Sequence, residues 1–499
     1  MQTRILSRIL APMMLLGANA AGAVSLSASG MGQVLIYPYY TVNKSQDTLI
    51  SVVNASDTGK MLQVRVAEGY NGRDVLKFEL FLSAHDVWTA AISQTADDGG
   101  GMLRTSDNSC TDPQIPSEGV AFRSSAYDGS GPEPADDGPQ GITRTREGFI
   151  EIIALTNVAP GSPTETAITH VQNGTPGGGV PPGCATLNDA MTLADSIAPD
   201  NGLYGSGSIV NVGQGTFFAY NADALAGFTD IPLTGPTGPF ITLQDANSAE
   251  AVNGVATSYT YDAQGRPIAT DWAFGIDAVS AALMAETIQN EYLTSASLGA
   301  STDWVVTFPT KQFYVDDIYG SVPFPPFVDA FHAPGVSTVT MVATHFDREE
   351  GSEQQPPACD QTGCMAYPPL TLGYEVNVLS YIEGSNLTFT IGTPSRVLGS
   401  VLTYSALDPF GEQGFTTADL TVGDGGHTVP GGVDIDGNDV LAFGLPTVGF
   451  MVYNIINAHA QPGMLANYGG AFAHRATSCI DNGNACGEFG TGAAAAIGR

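Results

Sequence analysis

Basic residues are scarce in this chain, and its overall charge density is low. The 499 residues include 17 Lys and Arg against 50 Asp and Glu, for a formal net charge of −33, and charged residues make up only 13% of the total. A surface of this sign repels phosphate groups, which excludes nucleic-acid binding and disfavours anionic membrane surfaces. It remains compatible with high solubility and with divalent cations.

Established catalytic motifs are also missing. The sequence contains no H-E-x-x-H, G-x-S-x-G, G-x-G-x-x-G or Walker phosphate-binding pattern. Carboxylates are plentiful, and candidates for a catalytic pair include Asp316, Asp317, Asp347 and Glu349. A glycoside hydrolase needs two carboxylates at a set distance in space, which their spacing along the chain does not fix. A hydrolase therefore stays open as an alternative.

Long apolar runs are missing as well, and no segment reaches the roughly 18 apolar residues that a membrane helix needs. The first residues instead have the parts of a secretory signal. Two arginines form a basic start, a short apolar run covers residues 9–16, and small residues follow. We predict a signal peptide over residues 1–23, cleaved after Ala20 or, preferably, after Ala23, and therefore a secreted or cell-surface protein.

Cysteine is sparse, with six residues in the whole chain, so disulfides do not replace a hydrophobic core here. Two close pairs each enclose a short run of turn-forming residues, and the two remaining cysteines lie in Gly- and Pro-rich loops. The alternative is a zinc site, which usually combines a C-x2-4-C pair with further Cys or His ligands. The most economical pairing gives three disulfides: Cys359–Cys364, Cys479–Cys486 and Cys110–Cys184.

What is present is a strong strand signal. Alternating apolar residues predict about five antiparallel strands within residues 32–92. One of them, residues 61–68, has Leu62, Val64 and Val66 on one face and more polar residues on the other, which predicts a half-buried strand. We therefore predict a mainly β chain, an antiparallel β-sandwich of the immunoglobulin-like or jelly-roll-like type with long Gly/Pro-rich loops.

One helix and one division of the chain are also predicted. The helix covers residues 277–293, where apolar residues fall on one stripe and Asp277 occupies the N-cap position. The polar segment 94–145 predicts a surface loop or a partly flexible insertion. A Pro-rich segment suggests a soft division near Gly320 into two regions: an N-terminal β-sandwich region, residues 24–320, and a C-terminal β-rich region, residues 321–499.

The best candidate for a metal site is the acidic stretch VDIDGNDV at residues 433–440. It offers side-chain oxygens around one glycine, from Asp434, Asp436, Asn438 and Asp439. Calcium takes about six to eight oxygen ligands, and such a turn can supply several of them. The spacing is not that of an EF-hand, because Leu445 stands where the last acidic ligand would be. The alternative is an ordinary Asp/Gly turn between two strands.

The stretch GQVLIYPYYTV, residues 32–42, places a proline and three tyrosines in a strand. Proline has no N–H group to donate to the backbone hydrogen bonds between strands, so the strand is predicted either to lie at a sheet edge or to carry a bulge. Alternation puts Tyr40 on the buried face with the aliphatic residues and Tyr37 and Tyr39 on a wetter face. Tyr37 and Tyr39 are therefore the candidate surface for assembly or ligand binding.

Four segments of the chain resemble segments of a family of exported proteobacterial proteins that has no established activity: GQVLIYPYYTV, DTLISVVN, DWVVTFPTKQFYVD and LANYGGAFAHR. They are spread from the N-terminus to the C-terminus, so the resemblance covers most of the mature chain. It implies an exported bacterial protein and carries over no site residue.

Together these features favour a non-enzymatic protein of the cell surface or of an extracellular assembly, with calcium as a stabiliser of its loops. Its expected partners are further copies of itself or a surface polysaccharide, with no nucleic acid and no membrane span in the mature chain. The alternatives are a secreted carbohydrate-active protein or other hydrolase on a β-sandwich scaffold, and a periplasmic binder of a metal or small molecule.

Overall fold

The computed structural model describes most of the chain. The described residues are 22–97, 99–172, 179–233, 240–247, 255–261, 266–320, 322–355, 370–382, 389–409, 411–422, 427–457, 464, 466–478, 480–481 and 496–497.

The predicted mainly β class is confirmed across these residues. The 33 strands are, in chain order, β1 Ala23–Leu26, β2 Val34–Thr41, β3 Asp47–Asn54, β4 Gly59–Glu68, β5 Asp74–Leu82, β6 Val87–Gln94, β7 Gly101–Arg104, β8 Cys110–Asp112, β9 Val120–Ala121, β10 Glu147–Val158, β11 Ser196–Ile197, β12 Leu203–Asn211, β13 Thr216–Asn221, β14 Asp223–Ala226, β15 Ala256–Tyr261, β16 Pro267–Trp272, β17 Met284–Ala285, β18 Thr287–Leu293, β19 Ala300–Thr307, β20 Val339–Asp347, β21 Ser352–Gln355, β22 Leu370–Leu372, β23 Val376–Tyr381, β24 Ala406–Leu407, β25 Gln413–Asp419, β26 Thr428–Asp434, β27 Asp439–Phe443, β28 Leu445–Pro446, β29 Val448–Ile455, β30 Tyr468–Ala473, β31 Arg475–Thr477, β32 Ile480–Asp481 and β33 Ala496–Ile497.

Helices in the described residues are few and short. The α-helices are α1 Pro163–Ile168, α2 Asp189–Ala194, α3 Gly275–Leu283 and α4 Gln312–Val315, and the 3-10 helices are Asn43–Ser45, Ile142–Arg146, Cys184–Thr186, Leu243–Asp245 and Ala296–Leu298. Within the described residues, none of these helices has the length and apolar character needed to cross a bilayer.

The described strands form five sheets, and nearly all neighbouring pairs are antiparallel. The largest sheet has 13 strands in the order β32-β27-β26-β16-β15-β1-β14-β2-β10-β4-β5-β8, with β11 on β10. The six-stranded sheet has the order β13-β12-β3-β6-β7-β9, and the five-stranded sheet β24-β23-β19-β29-β30. The seven-stranded sheet has the order β21-β20-β25-β18-β31-β33, with β22 on β20, and β17 pairs with β28.

Two hydrophobic cores lie on opposite faces of the central strands. In β2, Leu35 belongs to the first core and Ile36 to the second, and in β10 Ile152 and Ile153 divide in the same way. The first core is closed by the six-stranded sheet, where Trp88 is fully buried. The second core is closed by α3 and by β20 of the seven-stranded sheet. The central strands are therefore sandwiched between two layers and buried on both faces.

The five strands predicted within residues 32–92 are confirmed as β2 to β6. The prediction that residues 61–68 form a half-buried strand is wrong, because every residue of β4 is buried. Its polar face, which includes Gln63 and Arg65, lies inside the protein as well. In contrast, β3 leaves one face open, with Leu49 43% exposed.

The predicted division near Gly320 does not separate the sheets. β16 pairs with β26, which places Thr270 opposite Asp434, and β19 pairs with both β23 and β29. Residues from both sides of Gly320 contribute to each of the two large cores. Residues from the two predicted regions therefore share sheets and both large cores.

The start of the described chain is also part of a sheet. Residues 1–21, which hold most of the predicted signal peptide, lie outside the described residues. Ala23 begins β1, is 5% exposed, and pairs with Thr257, while Leu26 pairs with Leu225. Of the two predicted cleavage points, the one after Ala20 leaves this strand complete.

The predicted helix over residues 277–293 is only half correct. α3 ends at Leu283, and the following residues form β17 and β18. In β18, Ile288, Asn290 and Tyr292 are buried while the residues between them are more exposed, which is the two-residue period of a strand. β18 pairs with β25 and β31, so sheet hydrogen bonding overrides the helical propensity of this segment.

Asp277 lies in the first turn of α3, and Phe274 occupies the N-cap position predicted for it. The Asp277 carboxylate is 7% exposed and accepts a hydrogen bond from the Tyr314 hydroxyl at 2.8 Å. Burial raises the pKa of Asp277 to about 6, although the bond from Tyr314 acts in the opposite direction. The folded protein therefore holds a proton here between about pH 4 and about pH 6 that the unfolded chain releases.

Because the folded-state pKa is raised, stability is expected to fall as the pH rises from about 4 to about 6 and to stay lower above that range. Asp277→Asn removes this ionisation and keeps an acceptor for Tyr314. We expect it to raise the free energy of unfolding near neutral pH by about 1–2 kcal/mol and to change it little near pH ~4. Urea unfolding at both pH values measures this effect, with the exposed Asp97→Asn as control. An equal gain at both pH values would contradict the assignment.

Candidate functional site

The two tyrosines predicted to form an exposed surface are fully buried. Tyr37 and Tyr39 are each 0% exposed. The Tyr37 hydroxyl donates to the backbone carbonyl of Ser51, and the Tyr39 hydroxyl donates to the Glu147 carboxylate, each at 2.7 Å. Burial raises the pKa of both hydroxyls. The prediction is wrong because hydrophobic cores cover β2 on both faces.

Pro38 lies in a central strand that carries a bulge. β2 pairs with β14 on one side and with β10 on the other, and its register with β10 shifts between Gly148 and Ile150. The Pro38 carbonyl accepts a hydrogen bond from the Thr307 hydroxyl at 2.7 Å. The bulge alternative is therefore confirmed. β14 covers only the first half of β2, but the strand is fully buried, so it does not offer an exposed edge for assembly.

A buried arginine–carboxylate network lies beside β4 and β10. Arg144 has a fully buried side chain and binds two carboxylates at once. Its guanidinium donates to Glu68 at 2.7 and 2.9 Å and to Asp136 at 2.7 and 2.6 Å. Its Cζ atom also lies 4.3 Å from the centroid of the Tyr127 ring. Bidentate pairing with two carboxylates strengthens the ion pairs and fixes the orientation of the Arg144 guanidinium.

Two further arginines extend the network. Arg73 holds the Asp316 carboxylate with bonds of 2.5 and 2.8 Å, and both side chains are 2% exposed. Arg65 donates to Glu151 at 2.8 Å and also binds the Asp74 carboxylate. The network therefore joins β4, β10, the segment between β9 and β10, and the end of α4.

Burial shifts the pKa values of several ionisable groups around the network. Burial raises the pKa of Glu147 and of Glu151, although Arg65 acts in the opposite direction on Glu151. Burial likewise raises the pKa of Glu375 and lowers the pKa of Lys311 to about 8. The buried arginines and carboxylates of the network bind one another, so they stabilise the packing of the strands that carry them.

The segment predicted to be a surface loop, residues 94–145, contains three short strands and contributes to this network. Arg144 and the side chain of Asp136 are both buried. Their role had no local signal in the sequence, because Asp136 stands in a stretch rich in Gly and Pro. Only the scarcity of basic residues could have marked each arginine as unusual.

The predicted calcium turn forms the hairpin between β26 and β27. The Asp434 carboxylate accepts hydrogen bonds from the backbone N–H groups of Asp436 at 3.0 Å and Asn438 at 2.8 Å, and from the Asn438 amide at 2.9 Å. Gly437 takes a positive φ of 83°. The donors facing Asp434 are N–H groups, which suit a carboxylate and repel a cation. The geometry is that of a closed Asx turn, and calcium binding stays a prediction.

The long-range disulfide is present. Cys110 and Cys184 are bonded across 74 residues, with Cα atoms 5.1 Å apart, in agreement with the predicted pairing. The bond ties the start of β8 to the loop before α2. The other two predicted pairs, Cys359–Cys364 and Cys479–Cys486, lie outside the described residues.

The carboxylates considered for hydrolysis serve separate structural roles. Asp316 is held by Arg73, whereas Asp347 accepts the backbone N–H groups of Glu349 at 2.9 Å and Gly351 at 2.7 Å in the turn after β20. Asp317 follows the buried Asp316 on the chain. Among the described residues, no group of three or more His, Cys, Asp or Glu is placed to hold a metal ion.

Comparison with family models, curated proteins and solved structures finds no match for this chain. The resemblance to an exported proteobacterial family therefore stays a prediction, and the function has to be argued from the molecule itself.

The open side of the six-stranded sheet is a feature that the sequence reading missed. We call it the outer face and define it by the outward side chains of β3, β6, β7, β12 and β13. Its large apolar side chains are strongly exposed: Leu49 43%, Val87 45%, Tyr204 44% and Phe217 56%. Between them the strands carry mostly Ser, Thr and Ala, which leave a shallow groove of about 620 Å³ across β3, β6 and β12.

Charge is almost missing from the outer face. The outward positions of its five strands include one acidic residue, Asp47, and one basic residue, Arg104. Arg104 acts to lower the pKa of Asp47, against the effect of burial, so the two charges lie close enough to interact. The outer face therefore carries no net charge on a chain whose formal charge is −33.

The first prediction concerns the buried network. Arg144→Met leaves the Glu68 and Asp136 carboxylates inside the protein without their cation, so we expect a loss of about 3–5 kcal/mol in the free energy of unfolding. Arg348→Met is the matched control, because the Arg348–Glu349 pair is 65% and 71% exposed and should contribute less than about 1 kcal/mol. Denaturant unfolding compares the two. Equal losses would show that the network does not stabilise the fold.

The second prediction concerns the acidic turn. If Asp434 only closes the hairpin, chelator and added calcium will leave the melting temperature unchanged, while Asp434→Ala will cost about 1–2 kcal/mol because several N–H groups lose a charged acceptor. Thermal unfolding with and without calcium measures both effects, and Asp436→Ala at the exposed tip is the control. A calcium-dependent rise in melting temperature that Asp434→Ala abolishes would support the metal site instead.

Proposed function

We propose that this chain is an exported, non-enzymatic structural protein that associates with further copies of itself through the outer face of the six-stranded sheet. The observation that carries the proposal is the contrast in charge between this partly apolar face and the chain as a whole. The face exposes four large apolar side chains and no net charge, whereas the chain as a whole is strongly acidic. Exposed apolar patches of this kind are typical of protein–protein contact sites.

The charge distribution supports a second copy as the partner. Two molecules of the same strongly acidic protein repel each other wherever their acidic surfaces meet. The outer face avoids this repulsion, since its charges are Asp47 and Arg104. A two-fold contact is isologous, so Asp47 of one copy can approach Arg104 of the other. Self-association through this face therefore needs no counter-ion.

The small area of the face supports a weak and reversible contact between copies. With strands about 4.8 Å apart and residues about 3.3 Å apart along them, four strands of eight residues span roughly 500 Å². A stable interface usually takes about 800 Å² from each partner. Association through this face alone is therefore expected to depend on concentration, as suits subunits that gather at a surface.

The interior supports a non-enzymatic role. Its concentrated charges pair with each other in the arginine–carboxylate network, and the carboxylates considered for hydrolysis are held in separate places. The predicted signal peptide supports export, and the disulfide between Cys110 and Cys184 is the kind of bond that persists outside the cytosol.

The test is the mass of the mature protein in solution, measured by sedimentation over a wide concentration range. We expect dimers or larger species to appear as the concentration rises. Leu49→Asp places a charge at the centre of the outer face and should shift association to at least about ten-fold higher concentration, equivalent to about 1.4 kcal/mol. Leu298→Asp is the matched control, because Leu298 is 46% exposed and lies outside the face.

A monomer at every concentration, or equal behaviour of Leu49→Asp and Leu298→Asp, would contradict self-association. Binding of a surface polysaccharide by the monomer, lost in Leu49→Asp, would assign the face to that ligand instead. Fractionation of producing cells tests the other half of the proposal. A mature chain in the envelope or the medium supports export, and a full-length chain in the cytoplasm contradicts it.

A further inference from the structure

The side chain of Lys60 is buried at the beginning of β4. It is one of only four lysines in the chain, and its side chain is 0% exposed. Its ammonium nitrogen lies 2.6 Å from the side-chain carbonyl oxygen of Asn157 and 2.6 Å from Oδ1 of Asp200. A buried lysine is costly unless it is fully paired, so this contact set needs an explanation.

Asn157 completes a closed triangle with the other two side chains. It lies on β10 directly opposite Lys60 in the register of the sheet and is 4% exposed. Its amide nitrogen donates to Oδ2 of Asp200 at 2.8 Å. One carboxylate therefore contacts both nitrogens, that of the amine through Oδ1 and that of the amide through Oδ2.

The distances place an amine next to an amide carbon. Because a carbonyl bond is about 1.2 Å long, the hydrogen bond between Lys60 and Asn157 puts Nζ no more than about 3.8 Å from Cγ of Asn157. This upper limit is close to the roughly 3–3.5 Å of a near-attack arrangement, so little translational freedom remains to be lost before reaction. Opposite positions on paired strands hold the two groups in this arrangement.

Burial makes the neutral form of the Lys60 amine easier to reach. Lys60 stands opposite Leu82 on β5, which is fully buried. Burial lowers the pKa of Lys60, although the hydrogen bond that it donates to Asp200 acts in the opposite direction. A neutral amine is the nucleophilic form, and a desolvated lysine reaches it more easily.

We propose that Lys60 and Asn157 form an intramolecular isopeptide bond, with Asp200 as the group that moves the proton. The other three lysines have different surroundings: Lys44 and Lys311 donate to backbone carbonyls, and Lys77 pairs with Asp74. The proposal does not rest on the self-association described above, and either can hold without the other.

The reaction balances without a co-reactant. Asp200 takes one proton from the Lys60 ammonium, and the free amine attacks Cγ of Asn157. The new Nζ–Cγ bond forms as the Cγ–Nδ2 bond breaks. The carboxyl of Asp200 passes its proton to the leaving nitrogen and the attacking nitrogen supplies a second one, so the leaving group departs as an ammonium ion. The products are a secondary amide and one ammonium ion, and nothing is oxidised or reduced.

The position of Asp200 suits this role. Its side chain is 47% exposed, so ammonia has a path to solvent while the amine and the amide stay buried. The Ser56 hydroxyl also donates to Oδ1 of Asp200 at 2.7 Å and fixes its orientation. The resulting cross-link would join neighbouring central strands across 97 residues of chain, which restricts the unfolded state as a long-range disulfide does.

The test is the intact mass of the folded, exported protein after reduction of its disulfide. We expect a mass about 17 Da below that of the sequence, the mass of one ammonia lost in the acyl transfer. Proteolysis followed by tandem mass spectrometry should give one branched peptide that contains Lys60 and Asn157. Lys60→Arg keeps the positive charge but is not nucleophilic, so it should restore the full mass, as should Asn157→Ala.

Lys77→Arg is the matched control and should keep the mass loss. Asp200→Ala should slow bond formation by about a hundred-fold or more, because the proton-transfer group is gone. If that variant does not fold, the wild-type mass and the branched peptide decide the question alone. A folded wild-type protein of full mass, or a loss of ammonia that persists in Lys60→Arg, would overturn the proposal.

Discussion

The fold depends on the burial of β4 and β10 on both faces. A strand between two hydrophobic cores has no solvent for its polar side chains, and an unpaired buried charge costs several kcal/mol. β4 nevertheless carries Arg65 and Glu68, and β10 carries Glu151. Arg65 and Glu151 pair with each other across the two strands, whereas Glu68 takes its partner from another segment of the chain. Pairing of these buried charges therefore constrains how the neighbouring segments pack.

This requirement explains several connections that otherwise look arbitrary. The segment before β10 folds back so that Arg144 reaches Glu68, and the end of α4 brings Asp316 to Arg73. At the other end of the same two strands, Lys60 meets Asn157 and a carboxylate from the loop before β12. The same constraint thus produces both the network that fastens the fold and the cluster with the chemistry for a covalent bond.

The contrast between interior and surface gives the molecule its functional character. The charges that need exact pairing lie inside, whereas one complete sheet face remains open, apolar in part and without net charge. This arrangement is the basis of the proposed role as a structural subunit, because two copies of an acidic chain repel each other less where their surfaces carry no net charge.

Much of the local structure followed from the sequence. The five strands from β2 to β6 were predictable because the alternation of apolar side chains is a local signal. The pairing of Cys110 with Cys184 was predictable because these two cysteines remain once the close pairs are assigned. The exposure of Tyr37 and Tyr39 was not predictable, since alternation shows that faces differ but not what covers each face. The helix predicted beyond Leu283 failed for a related reason: β25 and β31 supply hydrogen bonds that the segment's own residues cannot reveal.

The sequence by itself determined the β class, the strongly acidic surface and the positions of most early strands. These follow from side-chain period, composition and turn residues, which act over a few positions. Only the tertiary structure decided that β4 is buried on both faces, that Arg144 and Lys60 meet their partners, and that the outer face stays open. Those outcomes depend on contacts between residues far apart in the chain, and no local sequence pattern shows which distant residue will be the partner.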